Sequence, residues 1–218
     1  MSFAKLIHFM GLVCVFAGAL IALAEILHPA GEDLVAVNSP LWSPAHMIWW
    51  LGVLLLQFGL IGLYARHAEA LGWLGLIGFV LAFFGAGLTA GILFLQSSAV
   101  PLIAPRFPPI AYELLIGPVG WVLLNEATFG GGIVLFAIAT MRARVYPRWA
   151  GLLVIYGIVL YLASWVPSDR VLSHAIALAS NLTFGLGVAW MGHALWSEKQ
   201  RGRRIGRTGE SGQHEGAG

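Results

Sequence analysis

The chain has 218 residues, of which 59% are hydrophobic and 10% are charged, and its mean hydropathy is +0.83. In soluble domains about a quarter of the residues are charged, so this composition excludes an ordinary soluble domain. The net charge of +2 gives no indication of a nucleic-acid partner, because the basic residues cluster beside apolar stretches, where membrane topology and anionic lipid explain them. A single cysteine, Cys14, excludes an internal disulfide.

Six apolar stretches are long enough, or nearly so, to cross a hydrocarbon core of ~30 Å as helices of ~20 residues. In chain order they are Leu6–His28, Pro44–Ala65, Leu71–Leu95, Val119–Met141, Trp149–Val166 and Val171–Trp196. The sequence therefore predicts an all-α integral membrane bundle of six transmembrane helices, forming one domain over residues 1–197. Residues 198–218 are first basic and then rich in Gly and Ser, which predicts a disordered cytoplasmic tail.

The basic residues predict the orientation of the bundle. Threading the six stretches alternately places ten of the twelve Lys and Arg residues on one side and leaves only Arg106 and Arg170 opposite. Cationic loops are retained in the cytoplasm during insertion, so both termini are predicted to be cytoplasmic. The ten residues are Lys5, Arg66, Arg142, Arg144, Arg148, Lys199, Arg201, Arg203, Arg204 and Arg207.

The first stretch has an alternative interpretation. Lys5, the apolar run and Ala22-Leu23-Ala24 resemble a signal peptide with its cleavage site. The run is long for such a segment and continues to His28, which favours a retained span. Cleavage would leave five spans and an external N-terminus.

A proline-rich outer loop is predicted between spans three and four. Five prolines lie between residues 96 and 118, a density that excludes a spanning helix. Residues 109–115 are predicted to form a short helix with proline near its first turn. Irregular backbone at membrane depth persists only when it is buried in protein or faces water, so this loop is expected to cap the outer face of the bundle. In span four, Gly130-Gly131-Gly132 predicts close packing or a local kink.

Polar side chains within the spans are concentrated in the outer half of the predicted membrane. Such groups are costly in hydrocarbon and usually face the bundle interior or a wet cavity. We therefore predict a polar cavity that opens outward beneath the proline-rich loop. Glu126 is the leading candidate, because no Lys or Arg lies in any span and its partner must be a histidine, Asn125 or water. The candidate proton or ligand site comprises Glu126, Asn125, Glu25, His46, His174 and Asn181.

The outer histidines are candidate metal ligands. His28, His46 and His174 could bind a metal ion together with Glu25, or His46 and His174 could ligate a haem iron. Glu25-Ile-Leu-His28 matches half of the Glu-x-x-His pair of helical di-iron sites, but the second copy is absent. Taken singly, an outer-end histidine is more often a hydrogen-bonded interfacial residue than a ligand, so a cofactor, either haem or a metal ion, stays a hypothesis.

Three segments carry a resemblance to a known family: His28-Pro-Ala-Gly-Glu-Asp, then Ser39-Pro-Leu-Trp-Ser-Pro-Ala-His46, then Gly59-Leu-Ile-Gly-Leu-Tyr-Ala-Arg66. They resemble uncharacterised small six-span bacterial membrane proteins of the DUF4386 type. The resemblance covers mainly the first half of the chain. It implies a multi-pass protein of the bacterial inner membrane, and it implies no activity and no site residue.

Three functional hypotheses follow. The chain is a small carrier, channel or proton-coupled protein; a structural or accessory subunit that binds lipid or partner helices; or a haem- or metal-binding redox protein. The expected partners are the lipid bilayer and a second copy or a membrane complex. Motifs for ATP hydrolysis, zinc proteolysis and serine hydrolysis are absent from the sequence, so enzyme status stays open.

Overall fold

The structure, a computed structural model, describes residues 2–214, with the backbone alone for residues 3, 4 and 198–214. The predicted all-α class is confirmed, because 87% of the structure is helical and the described residues contain no strand. The tail over residues 198–218 lies beyond the residues whose side chains are described, so its disorder stays a prediction.

Eight α-helices and one π-helical segment make up the described chain. Their bounds are α1 Phe3–Leu27, α2 Leu34–Val37, α3 Trp42–Ile103, α4 Pro108–Ile116, α5 Val119–Asn125, the π-helical segment Glu126–Gly130, α6 Gly131–Ala143, α7 Arg148–Ser164 and α8 Arg170–His214.

Four helical stretches of the described chain are long and apolar enough to cross a membrane. They are Lys5–Leu27, Trp42–Ile103, Pro108–Ala143 and Arg170–Ser197, and the apolar α7 adds a shorter helix of 17 residues. The sequence had predicted six spans. The difference arises partly because two of those predicted spans lie within the single 62-residue stretch of α3.

Helix α3 folds back on itself as an antiparallel hairpin. Its backbone leaves helical geometry at His67 (φ −133°, ψ 22°) and at Gly72 (φ 56°, ψ −158°). The positive φ at Gly72 favours glycine, which has no Cβ to clash there. Three contacts join the two arms at increasing distance from this turn: Tyr64 and Phe79 stack with ring centroids 4.7 Å apart, Gln57 Nε2 donates to Phe83 O at 3.0 Å, and Trp42 Nε1 donates to Gln96 O at 2.8 Å.

Glycines allow the helices to pack closely, as the sequence predicts. Helix α1 packs between α3 and α8, and α8 also packs against α7. Gly18 and Gly185 bring the backbones of α1 and α8 together, since a Cβ on either residue would collide with the carbonyl of the other. Gly91 contributes nothing of this kind, because a Cβ there would meet no described atom within 4 Å.

The segment over residues 96–118, predicted to be a proline-rich loop that caps the bundle, has different boundaries in the structure. Helix α3 continues past the predicted end at Leu95, through Pro101, to Ile103. Pro101 has no N–H to donate to the carbonyl of Ser97, and the helix ends two residues later. The predicted short helix is confirmed as α4, with proline in its first turn. An apolar cluster joins this cap to the bundle, comprising Ala36, Val37, Trp42, Val100, Ala104, Ala111 and Leu115.

The fourth predicted span contains the irregularity that its glycines suggest, but one turn earlier. The π-helical segment covers Glu126–Gly130 and is followed at once by regular α6. Gly132 instead packs against α3, where a Cβ would collide with the backbone N of Ala82. Of the three glycines, Gly132 therefore serves close packing, and the irregular turn contains Glu126.

We expect Gly132→Ala to destabilise the protein by about 1–3 kcal/mol, because the added methyl must displace the backbone of α3. The matched control is Gly91→Ala, which we expect to be neutral or stabilising by up to ~1 kcal/mol, since alanine is the better helix former. Thermal unfolding in detergent measures both. Equal melting temperatures for the two variants would contradict the close packing described for Gly132.

Candidate functional site

Three histidines from three separate parts of the chain meet at the end of the bundle that the sequence predicts to be the outer one. His28 directly follows α1, His46 lies near the start of α3, and His174 lies in the first turns of α8. The ring centroid of His28 is 4.9 Å from that of His46 and 6.5 Å from that of His174. His28 and His46 are buried, while the side chain of His174 is 25% exposed. We call these residues, together with Glu25 and Glu32, the histidine cluster.

Glu25 connects α1 to α8 beneath the histidines. Its side chain is buried. Asn181 Nδ2 donates to Glu25 Oε2 at 3.0 Å, and His174 Nδ1 lies 3.6 Å from Glu25 Oε1. The structure therefore brings together Glu25, His174 and Asn181, three of the residues that sequence analysis selected.

The hydrogen bonding of His46 fixes its tautomer. His46 Nδ1 lies 2.9 Å from the backbone oxygen of Trp42. A carbonyl oxygen only accepts hydrogen bonds, so Nδ1 carries the proton and Nε2 keeps its lone pair. Metal-binding histidines are commonly oriented in this way, by donating the other ring N–H to a backbone carbonyl.

His28 has the same arrangement and is the least satisfied member of the cluster. Its ring is hydrogen-bonded to the backbone of Pro29, which offers only a carbonyl. Its Nε2 is buried without a hydrogen-bond partner among the described residues. Burial, followed by the neighbouring His46 and His174, lowers the pKa of His28 from 6.5 to about 3. The ring is therefore neutral near pH 7, and Nε2 is an unprotonated acceptor.

Glu32 faces this orphaned nitrogen. Glu32 Oε1 lies 3.4 Å from His28 Nε2, and the side chain of Glu32 is 58% exposed. A neutral imidazole lone pair and a carboxylate oxygen are both acceptors, so they do not hydrogen-bond to each other. The contact becomes favourable when a proton or a metal ion lies between the two atoms.

Two sets of three residues could hold a metal ion in the described chain. In Glu25, His28 and His174, and again in His28, Glu32 and His46, the donor atoms all lie within 4.8 Å of one another. Zinc ligands lie ~2.0–2.2 Å from the ion, so donor atoms around one ion are within ~4 Å of each other. Small side-chain rotations would bring either set to that separation. His28 belongs to both sets, so an ion bound to His28 could take its further ligands from either set.

Two tryptophans hold the histidine rings in place. The Trp42 ring lies 4.1 Å from His46 and 5.2 Å from His28 between centroids, and Trp49 lies 6.2 Å from His28. The Trp42 side chain is fully buried, and its indole N–H donates to the backbone oxygen of Gln96 within the protein. An apolar shell of this kind restricts water access to a metal site.

Asn125 and Glu126 form a separate polar link. Thr89 Oγ1 donates to Asn125 Oδ1 at 3.0 Å, and Asn125 Nδ2 lies 3.4 Å from Glu126 Oε1. Glu126, the leading candidate from the sequence, thus has Asn125 rather than a histidine as its hydrogen-bond partner.

Sequence analysis gave Glu32 no role. It lies four residues after His28, a spacing that brings side chains together in a helix. However, Pro29 and Gly31 exclude a helix there, and the structure has none. The contact depends on the path of the loop, which spacing alone does not reveal.

Below the cluster, the described core is closed by apolar side chains. Leu56, Leu60, Phe136 and Met191 are among the residues around a gap of about 10 Å³. A cavity needs at least ~10–15 Å³ to hold one water molecule. This conformation therefore offers no wet path through these residues towards the inner face.

We expect Asn181→Leu to cost about 1–3 kcal/mol of stability, because it leaves the buried Glu25 carboxyl without its donor. Asn38→Ala is the matched control, since Asn38 donates to Leu34 O at an exposed position; its effect should stay within about 0.5 kcal/mol. Chemical or thermal unfolding of the detergent-solubilised protein gives both values. A neutral Asn181→Leu would show that Glu25 needs no partner from α8.

Comparison of the chain with protein-family models, with curated proteins and with solved structures gave no match. The geometry of the histidine cluster is therefore the basis for a functional conclusion.

Proposed function

We propose that the chain is a multi-pass membrane protein that binds a transition-metal ion at its outer end. His28, His46, His174 and Glu25 are the proposed ligands. The observation that carries this proposal is the buried Nε2 of His28, which lacks a hydrogen-bond donor and faces a carboxylate oxygen at 3.4 Å. Imidazole and carboxylate donors together suit zinc and its neighbours in the first transition row.

A cluster held by hydrogen bonds alone explains these contacts less well. Leaving a buried polar atom without a partner costs about 1–3 kcal/mol. Among the described residues, a protonated Glu32 carboxyl is the group placed to donate to His28 Nε2, and at 3.4 Å it is too far for a good hydrogen bond. A bound cation satisfies this nitrogen and at the same time neutralises the carboxylates beside it.

The geometry favours a single ion over a haem. A porphyrin held by His46 and His174 needs open space between the two rings. The His28 ring packs against both, with its centroid 4.9 Å from that of His46 and 6.5 Å from that of His174. The haem alternative would require His28 to move away from both rings.

Six crossings with both termini on the cytoplasmic side form part of the proposal. The hairpin of α3 supplies two of them. The inner ends meet where Tyr146 donates to Leu63 O at 3.0 Å and where His8 Nδ1 lies 3.1 Å from Leu195 O. These contacts support placing the turn of α3, the α6–α7 connection, and the inner ends of α1 and α8 on one side. The bacterial inner membrane, implied by the family resemblance, remains the proposed location.

The carrier and accessory-subunit hypotheses are less well supported. The apolar core beneath the cluster contains a gap of only about 10 Å³, which is too small for a solute in this conformation. A purely structural ion would have four protein ligands and no contact with solvent. Here His174 and Glu32 are both partly exposed, which favours a site that exchanges ligands with the outer solution.

We expect the purified protein to bind Zn²⁺ or Co²⁺ with one ion per chain. His28→Ala, His174→Ala and Glu25→Gln should each weaken binding by at least ~100-fold, beyond the ~10–100-fold typical of outer-shell partners. The measurement is titration calorimetry together with the Co²⁺ visible absorption, which reports the coordination geometry.

The matched control for metal binding is His193→Ala, because His193 is exposed and lies in the inner part of α8. It should bind as the wild type does. A wild-type protein that binds neither ion above the level of its three ligand variants would overturn the proposed function.

Cysteine labelling tests the orientation. In a Cys14→Ala background, which removes the only native thiol, Ser168→Cys should react with an impermeant maleimide on intact cells. Glu69→Cys should react only after permeabilisation, because it lies at the turn of α3. Both positions are exposed in the structure. The opposite pattern, or labelling of both from outside, would show that the topology is wrong.

A further inference from the structure

Residues 29–33, which we call the strap, run across the outer end of the bundle from α1 towards α2. Gly31 has φ +92°, a conformation that side-chain-bearing residues rarely adopt. Asp33 ends the strap by capping α2, where its Oδ1 accepts from Val35 N and Ala36 N at 2.9 Å each. The strap therefore has a defined shape and a fixed far end.

Arg170, at the start of α8, binds the strap at two points. Its Nε donates to Ala30 O at 2.7 Å, and its Nη2 donates to Asp33 Oδ1 at 2.9 Å. Gly31 is also in contact, since a Cβ there would collide with Arg170 Nε. The planar fork of a guanidinium suits such a two-point contact, which a lysine cannot reproduce.

Glu32 lies between the two attachment points. Ala30 and Asp33 are held by Arg170, and the carboxylate of Glu32 reaches back towards His28 and His46. Three of the other donors have partners within the protein: Glu25 is bonded to Asn181, His46 to the Trp42 carbonyl, and His28 to the Pro29 carbonyl. Glu32 differs from these donors because its side chain is mostly exposed and it lies on a loop.

We propose that Glu32 is the exchangeable ligand of the metal site, and that Arg170 is the positioning residue that holds it there. This inference rests on the proposed metal binding. With the strap attached, Glu32 covers the ion from the outer side. When the strap detaches, Glu32 withdraws, and water or a competing ligand takes its coordination position.

The energetics suit a reversible contact. Ion pairs between exposed side chains contribute ~0–1 kcal/mol, and Arg170 and Asp33 are each about 40% exposed. The strap can therefore detach without unfolding the bundle. Arg170 should accordingly act mainly on the rate at which the ion leaves, and less on whether it binds.

The inference also accounts for an exception in the charge distribution. Arg170 is one of two basic residues on the predicted outer side, where basic residues oppose the usual topology. Its two bonds to the strap give it a specific role there.

The experiment is a metal-exchange assay on the full-length protein in detergent. The Zn²⁺-loaded protein is mixed with an excess of a chromophoric chelator, and the release rate is followed. We expect Arg170→Gln, Glu32→Gln and Gly31→Ala each to accelerate release by at least ~10-fold, the lower end of the outer-shell range. Arg106→Gln, at the other outer arginine, is the control and should release zinc at the wild-type rate.

A double variant separates positioning from general loosening. If Arg170 acts through Glu32, then Arg170→Gln added to Glu32→Gln should change the release rate no further. Fully additive effects would overturn the inference, as would wild-type rates in both single variants. Melting temperatures identify any variant that is simply unfolded, and Gly31→Ala then tests the strap from its other side. In those outcomes zinc still binds to the wild type, whereas absent binding would refute the proposed function itself.

Discussion

The structure depends on one constraint: a buried carboxylate in an apolar bundle must find its partners on neighbouring helices. Glu25 lies at the outer end of α1, and its two oxygens face Asn181 and His174 of α8. Glycine contacts between the same helices, at Gly18 and Gly185, set the close approach that makes this pairing reachable. The close packing of α1 and α8 and the hydrogen bonding of Glu25 thus reinforce each other. His28 and His46 lie around the Glu25–His174 pair.

The site combines rigid and adaptable parts in a way that suits ion binding. The rings of His28 and His46 pack against Trp42, and each ring is hydrogen-bonded to a backbone carbonyl. The remaining ring nitrogen of each histidine is therefore preorganised. Such preorganisation lowers the ordering cost of binding. The outward side is made by a partly exposed loop. A site of this construction can hold an ion firmly while leaving one face open to solution.

The depth of each polar residue could be predicted from the sequence, but its direction could not. Alternation of spans places the end of one helix beside the start of the next, which is why Glu25, His28, His46 and His174 were expected at one level. The direction in which a side chain points depends on the helix register, and the π-helical segment changes that register at Glu126. Glu126 is hydrogen-bonded to Asn125 and not to a histidine. The position of the Glu32 side chain depends on the positive φ at Gly31, which cannot be predicted from a hydropathy pattern.

His174 belongs to the last helix of the bundle, whereas His28 and His46 come from the first 46 residues. During synthesis, His28 and His46 are therefore made before His174, and the proposed site is incomplete until α8 has inserted and packed against α1. If the proposed ion binds, it would join α1 to α8 as a cross-link that forms only after these two helices have packed together. Metal occupancy would in this way distinguish finished molecules from partly inserted ones.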